Sequence, residues 1–183
     1  MNKYLLLILV IGVYLAYLPL NQRKSKYYWH SKLDNFIPYI SFFILPYLSF
    51  IPYLVFSIII TWNTAIITPL LQILFFAKLF TIAFWYVFPN GVRREKRVEN
   101  TILDKITNRI YKIDGDTNAF PSSHIFTTLI ITYYLSTYFH KYSLIFIVIG
   151  ILISASTVFV KQHYVVDILG GILVFLASIY LLA

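Results

Sequence analysis

The chain has no cysteine and few charged side chains, and these two absences set its class. Without cysteine there is no disulfide, no thiolate chemistry and no cysteine-based zinc site. Charged residues make up only 12% of the 183 residues, whereas a soluble domain carries about 25%. Hydrophobic residues make up 60%. So much apolar surface requires lipid as its solvent, so we predict a multi-pass integral membrane protein, with the cell membrane as its expected location.

Long apolar runs predict six membrane-spanning helices in a single domain of residues 1–183. A helix needs about 20 mainly apolar residues to cross a bilayer. The predicted spans cover residues 4–20, 39–60, 68–88, 125–139, 144–160 and 164–182. The first run is taken as a retained span, because no small-residue cleavage site follows it. The predicted fold class is therefore all-α, a six-transmembrane-helix bundle.

The polar segment between the third and fourth predicted spans has a helical pattern of its own. Apolar residues recur there at every fourth position, with charges between them: Val98, Ile102, Ile106 and Ile110. This spacing predicts an amphipathic helix between Arg94 and Lys112 that lies in the membrane interface. Membrane anchoring is favoured over catalysis as its role.

Most of the basic residues lie on one face of the predicted topology. The net charge is +8, and twelve of the 15 Lys and Arg residues fall in loops 21–38, 89–123 and 161–163. They are Arg23, Lys24, Lys26, Lys32, Arg93, Arg94, Lys96, Arg97, Lys105, Arg109, Lys112 and Lys161. Because these loops separate apolar spans, we predict membrane lipids or phosphorylated substrates as partners, and no nucleic acid. The positive-inside rule places this face in the cytoplasm.

A histidine and an aspartate begin the sixth predicted span on this face. His163 and Asp167 are four residues apart, so they share one side of a helix. The aspartate can accept the Nδ1–H of the imidazole and leave Nε2 free as a nucleophile. The alternative is a pair that only satisfies two polar groups at a helix end.

A second histidine follows a predicted helix cap at the start of the fourth span. Ser122 or Ser123 can cap that helix, and the free N–H groups of a helix start bind phosphate. His124 in the first turn would face the phosphate and protonate a leaving oxygen. Taken alone, this motif is better explained by a cap with an incidental histidine. Two histidine motifs on the same membrane face, however, favour a catalytic role for both histidines.

Basic residues near these histidines are candidates for binding a phosphate group. Arg93 and Arg94 follow the third span, and a guanidinium grips phosphate through two parallel hydrogen bonds. An ordinary basic flank of a membrane helix is the other explanation. Lys161 is a further candidate, two residues before His163. Lys78 lies midway along the third span, and we expect it to line the cavity below the histidines.

In this order, these residues resemble the type 2 phosphatidic acid phosphatase superfamily of membrane lipid phosphatases and phosphotransferases. The family's Pro-Ser-x-His motif is matched by Pro121, Ser122 and His124. Its Ser-Arg…His-x-x-x-Asp motif is matched by Ser156, His163 and Asp167. Its first motif, after the third span, is best matched by Arg94.

Three positions depart from the family pattern. Val87 stands in place of a lysine, Glu95 in place of a proline, and Thr157 in place of the arginine of the third motif. Lys161 is the residue expected to supply the missing charge.

The resemblance implies a metal-independent lipid phosphatase without a cofactor that forms a phosphohistidine. His163 would attack phosphorus, Asp167 would orient it, and His124 would act as acid and then base. The phosphate would be bound by Arg94, Arg93, Ser122, Ser123 and Lys161. A phosphotransferase or headgroup synthase of the same superfamily is one alternative, and a non-catalytic lipid-binding or transport protein is another. The resemblance also favours an extracytoplasmic site, which we expect despite the charge count.

Overall fold

The computed structural model describes residues 2–94 and 98–182, and within them the regular secondary structure is helical. The α-helices are α1 (Lys3–Leu15), α2 (Tyr17–Leu20), α3 (Ile44–Leu48), α4 (Phe50–Thr61), α5 (Ile67–Val87), α6 (Ile102–Asp114), α7 (Ser123–Tyr138), α8 (Ser143–Phe159) and α9 (Val165–Leu182). The predicted all-α class is confirmed for this part of the chain.

Five helical stretches of the described residues are long and apolar enough to cross a membrane. They are Lys3–Leu20, Ser41–Thr61, Ile67–Val87, His140–Phe159 and Val165–Leu182. They correspond to the first, second, third, fifth and sixth predicted spans. The first divides into α1 and α2 at Ala16, and the second combines a 3₁₀ turn with α3 and α4. Five apolar helices of this length indicate a membrane protein.

The fourth predicted span differs from the other five. Helix α7 has 16 residues, which at 1.5 Å per residue is about 24 Å, less than the roughly 30 Å of a hydrocarbon core. It lies at the centre of the bundle and contacts α4, α5, α8 and α9. Its hydroxyls find partners on neighbouring helices, since Tyr14 Oη lies 2.7 Å from Thr127 Oγ1 and Tyr53 Oη lies 3.2 Å from Thr132 Oγ1. The number of six spans therefore stays a prediction.

The main apolar core lies between the helices, while their outer faces are also apolar. Leu70, Leu71 and Leu74 of α5 are fully buried in it. On α9, Leu169 and Leu173 are exposed. Helices that are apolar on every side are typical of membrane spans.

Helix α6 occupies part of the predicted amphipathic segment. It begins at Ile102, because Thr101 caps it: Thr101 Oγ1 accepts the N–H of Asp104, and the Asp104 carboxylate accepts the N–H of Thr101. The predicted start at Arg94 is therefore too early, and residues 95–97 lie outside the described residues. The apolar side of α6 packs through Ile106 and Ile110 on a buried cluster of the bundle. Its position in the membrane interface stays a prediction.

Backbone pairing joins three loops above the ends of the helices. Tyr27 pairs with Asn90, and Gly91 pairs with Thr117. The Asn90 amide also holds Phe120, accepting its N–H at 2.6 Å and donating to its carbonyl at 2.9 Å. This network fixes the segment that leads into α7.

Candidate active site

The N-terminal ends of α7 and α9 meet directly. The N–H of Ser122, just before α7, donates to the carbonyl of Asp167 in the first turn of α9 at 3.1 Å. Gly171 makes this approach possible, because a Cβ there would lie 2.6 Å from Ile125 Cβ and 2.8 Å from the Ser122 carbonyl oxygen. A residue with a side chain at this position would push the two helices apart.

This crossing brings together the two histidines predicted to form the site. The ring centroids of His124 and His163 are 5.6 Å apart, with their planes at 64°. The His124 ring also packs against Tyr47, at 4.8 Å between centroids, and against Phe50, at 4.4 Å. His163 is buried. His124 and His163, which are 39 positions apart in the sequence, are thus neighbours in the folded bundle.

Asp167 lies beside the His163 imidazole without forming the predicted hydrogen bond. His163 Nδ1 is 3.4 Å from Asp167 Oδ2, and Nδ1 has no hydrogen-bond partner among the described residues. The same carboxylate oxygen accepts the N–H of Tyr164 at 2.8 Å. Asp167 therefore caps the start of α9 and lies close enough to accept a hydrogen bond from Nδ1–H of His163 after a small shift.

The two serines before His124 have separate contacts. Ser122 is the N-cap of α7, and its hydroxyl accepts the N–H of Ile125 at 3.4 Å. Ser123 begins the helix, and its hydroxyl accepts a hydrogen bond from the Lys78 ammonium at 2.8 Å. The sequence left open which serine caps the helix, and the structure identifies Ser122.

The two histidines face a cavity of about 390 Å³ that has a polar end and apolar walls. Its polar end includes Lys78, Arg94, Asp114, Asn118, Ser123, His124, Gln162 and His163. Its apolar walls include Leu15, Leu18, Phe50, Ile51, Ile110 and Ile113. We call this the apolar cavity. Its lining thus combines basic side chains with apolar ones.

A second cavity of about 720 Å³ adjoins the first and shares His163 and Arg94 with it. It is lined by Tyr28, His30, Asp34, Asn35, Ile37, Val92, Arg93, Arg94, Val158, Lys161, His163 and Tyr164. We call this the polar cavity. His163 and Arg94 line both cavities, whereas His124 lines the apolar cavity.

The predicted phosphate-binding cations differ in how they are engaged. The Nε and Nη1 of Arg94 are buried and have no hydrogen-bond partner within the described residues, and its guanidinium lies 5.4 Å over the Tyr111 ring. Arg93 is exposed and lies 5.0 Å over the Tyr28 ring. Arg94 is thus the guanidinium best placed to bind a ligand between the two cavities.

Lys161 lines the polar cavity and is held by backbone oxygens. Its ammonium donates to the carbonyl of Asp34 at 3.2 Å and to that of Ile37. The Asp34 carboxylate in turn accepts the N–H of Val165, at the start of α9, at 2.8 Å. Direct phosphate binding by Lys161 stays a prediction, and the structure gives the residue a role in holding the loop behind His163.

Sequence reasoning did not include several residues that lie at the site. Lys78 was expected to line the cavity below the histidines, which is confirmed, but it was not counted among the phosphate ligands. Gln162 and Asn118 are buried and line the same cavity; both amide atoms of Gln162 and Nδ2 of Asn118 have no partner in the described part of the chain. Asp34, which accepts the N–H of Val165, also lies outside the motifs of the sequence. Their contacts span long sequence separations, so no local pattern marks them.

Apolar helices long enough to cross a membrane, together with the family match over residues 4–181, indicate a membrane phosphatase-like protein. The chain belongs to the PAP2 superfamily, whose family model matches residues 4–181. The resemblance seen in the motifs is thereby confirmed. Comparison with curated proteins and with solved structures gave no match.

Proposed function

We propose that the protein is a membrane-embedded lipid phosphatase that hydrolyses a lipid phosphate monoester or diphosphate through a phosphohistidine. The observation that carries the proposal is the pair of histidines, with centroids 5.6 Å apart, at the cationic end of a cavity with apolar walls. An apolar cavity accepts the chain of a lipid, and its polar end accepts the phosphate.

In the first step, Nε2 of His163 attacks phosphorus and forms a P–N bond while the bond from phosphorus to the lipid oxygen breaks. His124 donates a proton to the departing alkoxide. In the second step, His124 takes a proton from a water molecule whose oxygen attacks the phosphohistidine. The P–N bond breaks, phosphate is released, and both imidazoles return to their starting states.

Asp167 stabilises the positive charge that develops on the His163 ring. Hydrogen bonds of catalytic groups are often long before substrate binds and shorten as charge develops. We expect the 3.4 Å contact between Nδ1 and Oδ2 to become a hydrogen bond in the complex with substrate. The carboxylate then fixes the tautomer that leaves Nε2 free.

The phosphate oxygens are stabilised mainly by electrostatics. Arg94 offers two buried N–H groups that have no partner among the described residues. The start of α7 adds backbone N–H groups of Ser123 and His124, which have no partner within an α-helix. In phosphoryl transfer, positioning and such charge stabilisation supply most of the catalysis.

The arrangement of the two cavities supports unequal roles for the histidines. In an in-line displacement, the nucleophile and the leaving oxygen lie on opposite sides of phosphorus. His124 lines the apolar cavity, where the lipid alcohol would leave, and His163 lies between that cavity and the polar one. His124 is therefore the acid that meets the lipid oxygen.

Transfer to an alcohol is a second candidate function, favoured by the size of the polar cavity. Its volume of about 720 Å³ far exceeds the roughly 30 Å³ of a single water molecule. An acceptor alcohol placed there would use the same two histidines. Adding a lipid alcohol to the assay and looking for a phosphorylated product distinguishes transfer from hydrolysis.

The proposal is tested by phosphate release from a panel of lipids with the full chain purified in detergent. The panel contains a diacylglycerol phosphate, a prenyl monophosphate and a prenyl diphosphate. His163→Ala should lower the rate by about a thousandfold or more, whereas the exposed His140, away from both cavities, provides the matched control His140→Ala. Unchanged activity in His163→Ala would rule out the nucleophile. Lipid binding by the wild type without any turnover would favour the non-catalytic alternative.

A further inference from the structure

Lys78 is a buried ammonium in the middle of a helix that is long enough to cross a membrane. It lies 11 residues after the start of α5 and nine before its end, and it is 3% exposed. Charged groups at such positions are costly, and they are found where they face a cavity or a partner. Packing alone gives no reason for a lysine here.

The groups in contact with the Lys78 ammonium are one hydroxyl and three aromatic rings, all of them uncharged. Nζ donates to Ser123 Oγ at 2.8 Å, and it lies 4.8, 5.1 and 4.7 Å from the ring centroids of Tyr14, Tyr17 and Trp85. No carboxylate of the described residues comes within 4.0 Å of it. An ammonium has three N–H donors, and the Ser123 hydroxyl is the acceptor that the structure provides.

The same end of the apolar cavity contains further groups that lack partners. Arg94 has two buried N–H groups without an acceptor, and both amide atoms of Gln162, which is 2% exposed, are unpaired within the described residues. The one carboxylate among the described residues lining this cavity, Asp114, accepts hydrogen bonds from the hydroxyls of Tyr17 and Tyr47. Buried polar atoms normally find partners, so their absence here points to a bound ligand, and the cations Lys78 and Arg94 in the same lining favour an anionic one.

We infer that Lys78 binds the phosphate group of the substrate directly, opposite Arg94, and so supplies a cation that the end of α5 lacks. This inference rests on the proposed function and adds a ligand to its site. The ammonium bridges Ser123 Oγ and a phosphate oxygen, which ties the bound phosphate to the start of α7. The site therefore selects a tetrahedral oxyanion carrying two negative charges, held between a lysine and an arginine.

The test is calorimetric binding of tungstate, a tetrahedral dianion, to the full chain in detergent. Lys78→Met keeps the length of the side chain and removes the charge. It should weaken tungstate binding by about tenfold to a hundredfold, the loss expected for one charged hydrogen bond. Lys141→Met, at an exposed lysine away from both cavities, is the matched control and should bind within twofold of the wild type.

Ser123→Ala separates direct binding from positioning. If Lys78 contacts the anion, this variant should lose less affinity than Lys78→Met. Equal losses in the two variants would show that Lys78 acts only through Ser123, and wild-type affinity in Lys78→Met would also overturn the inference. If Lys78→Met cannot be purified, Lys78→Gln gives the same comparison.

Tungstate binding needs no turnover, so the two proposals fail separately. If the wild type hydrolyses no lipid but Lys78→Met loses tungstate affinity, the phosphatase proposal is wrong and the anion site stands. If the wild type hydrolyses lipids and Lys78→Met binds tungstate normally, only the inference about Lys78 is wrong.

Discussion

The close contact at Gly171 makes a single methyl group a sensitive probe of the site. In Gly171→Ala, the new Cβ would lie 2.6 Å from Ile125 Cβ and 2.8 Å from the Ser122 carbonyl oxygen. Ordinary contacts between carbon atoms are about 3.5–4.0 Å, so α9 and α7 must separate by about 1 Å. The Ser122 oxygen belongs to the backbone and cannot rotate out of the way.

Two effects should follow from this separation. Overpacking of this kind destabilises a protein by about 1–3 kcal/mol, so the variant should unfold at a lower temperature. Ser122 caps the helix that carries His124, and His163 lies two residues before α9 begins, so the distance between the two rings should increase. A misplacement of about 1 Å can slow catalysis by about a hundredfold, and we expect a fall in kcat of that size.

The assay is phosphate release with each substrate that the wild type hydrolyses, alongside thermal unfolding in the same detergent. Gly12→Ala is the matched control, because a Cβ at Gly12 in α1 meets nothing within 4 Å. It should leave kcat unchanged. Wild-type kcat in Gly171→Ala, or an equal loss in Gly12→Ala, would refute the argument that this contact sets the spacing of the histidines.

Three further predictions concern the groups around the histidines and the side of the membrane they face. Asp167→Asn should lower kcat by about 10²–10⁴ with little change in KM, since an amide cannot stabilise a charged imidazole. Lys161→Ala should raise KM less than Arg94→Met does, because its ammonium is bound to backbone carbonyls. Cysteines at the exposed Lys105 and Lys141 should label differently in intact cells, with Lys105 reacting from outside. Steady-state kinetics and maleimide labelling measure these outcomes.

Each of these predictions has a result that contradicts it. Wild-type kcat in Asp167→Asn would leave the carboxylate only its role as a helix cap. An increase in KM for Lys161→Ala as large as that for Arg94→Met would show that the lysine binds phosphate itself. Labelling at Lys141 but not at Lys105 would place the site in the cytoplasm, as the charge count predicts. The chain has no native cysteine, so wild-type protein is the blank.

The sequence predicts well those features that depend on local spacing. A serine before an apolar run predicts the cap of α7. His163 and Asp167 lie close together, with Nδ1 3.4 Å from Oδ2, but the predicted shared helix face is wrong, because α9 begins at Val165 and His163 lies in the turn before it. Apolar runs predict the five helices that are long enough to cross a membrane. The fourth predicted span, residues 125–139, comes within two residues of both ends of α7. What the apolar run did not predict is that this helix is surrounded by other helices and carries hydroxyls that bond to them.

The partners of the polar side chains are set by tertiary structure and were not predictable from spacing. Lys161 was expected to bind phosphate because it lies two residues before His163. Its ammonium instead donates to backbone oxygens far away in the sequence, such as that of Ile37, 124 residues earlier. Lys78 and Ser123 are 45 residues apart, and their contact exists only because α5 packs against α7. No periodicity in the sequence encodes such pairs.

The direction in which α5 presents its side chains explains why motif spacing did not find Lys78. An α-helix turns by about 100° per residue, so residues nine positions apart point in roughly opposite directions. Val87, where the family pattern has a lysine, is 64% exposed, and Lys78 is 3% exposed. In this bundle, a lysine at position 87 would therefore point away from the histidines, whereas one at position 78 reaches Ser123. A cation that α5 itself supplies to this site must lie on the inner face of the helix. The orientation of α5 therefore decides its position, and the motif spacing does not.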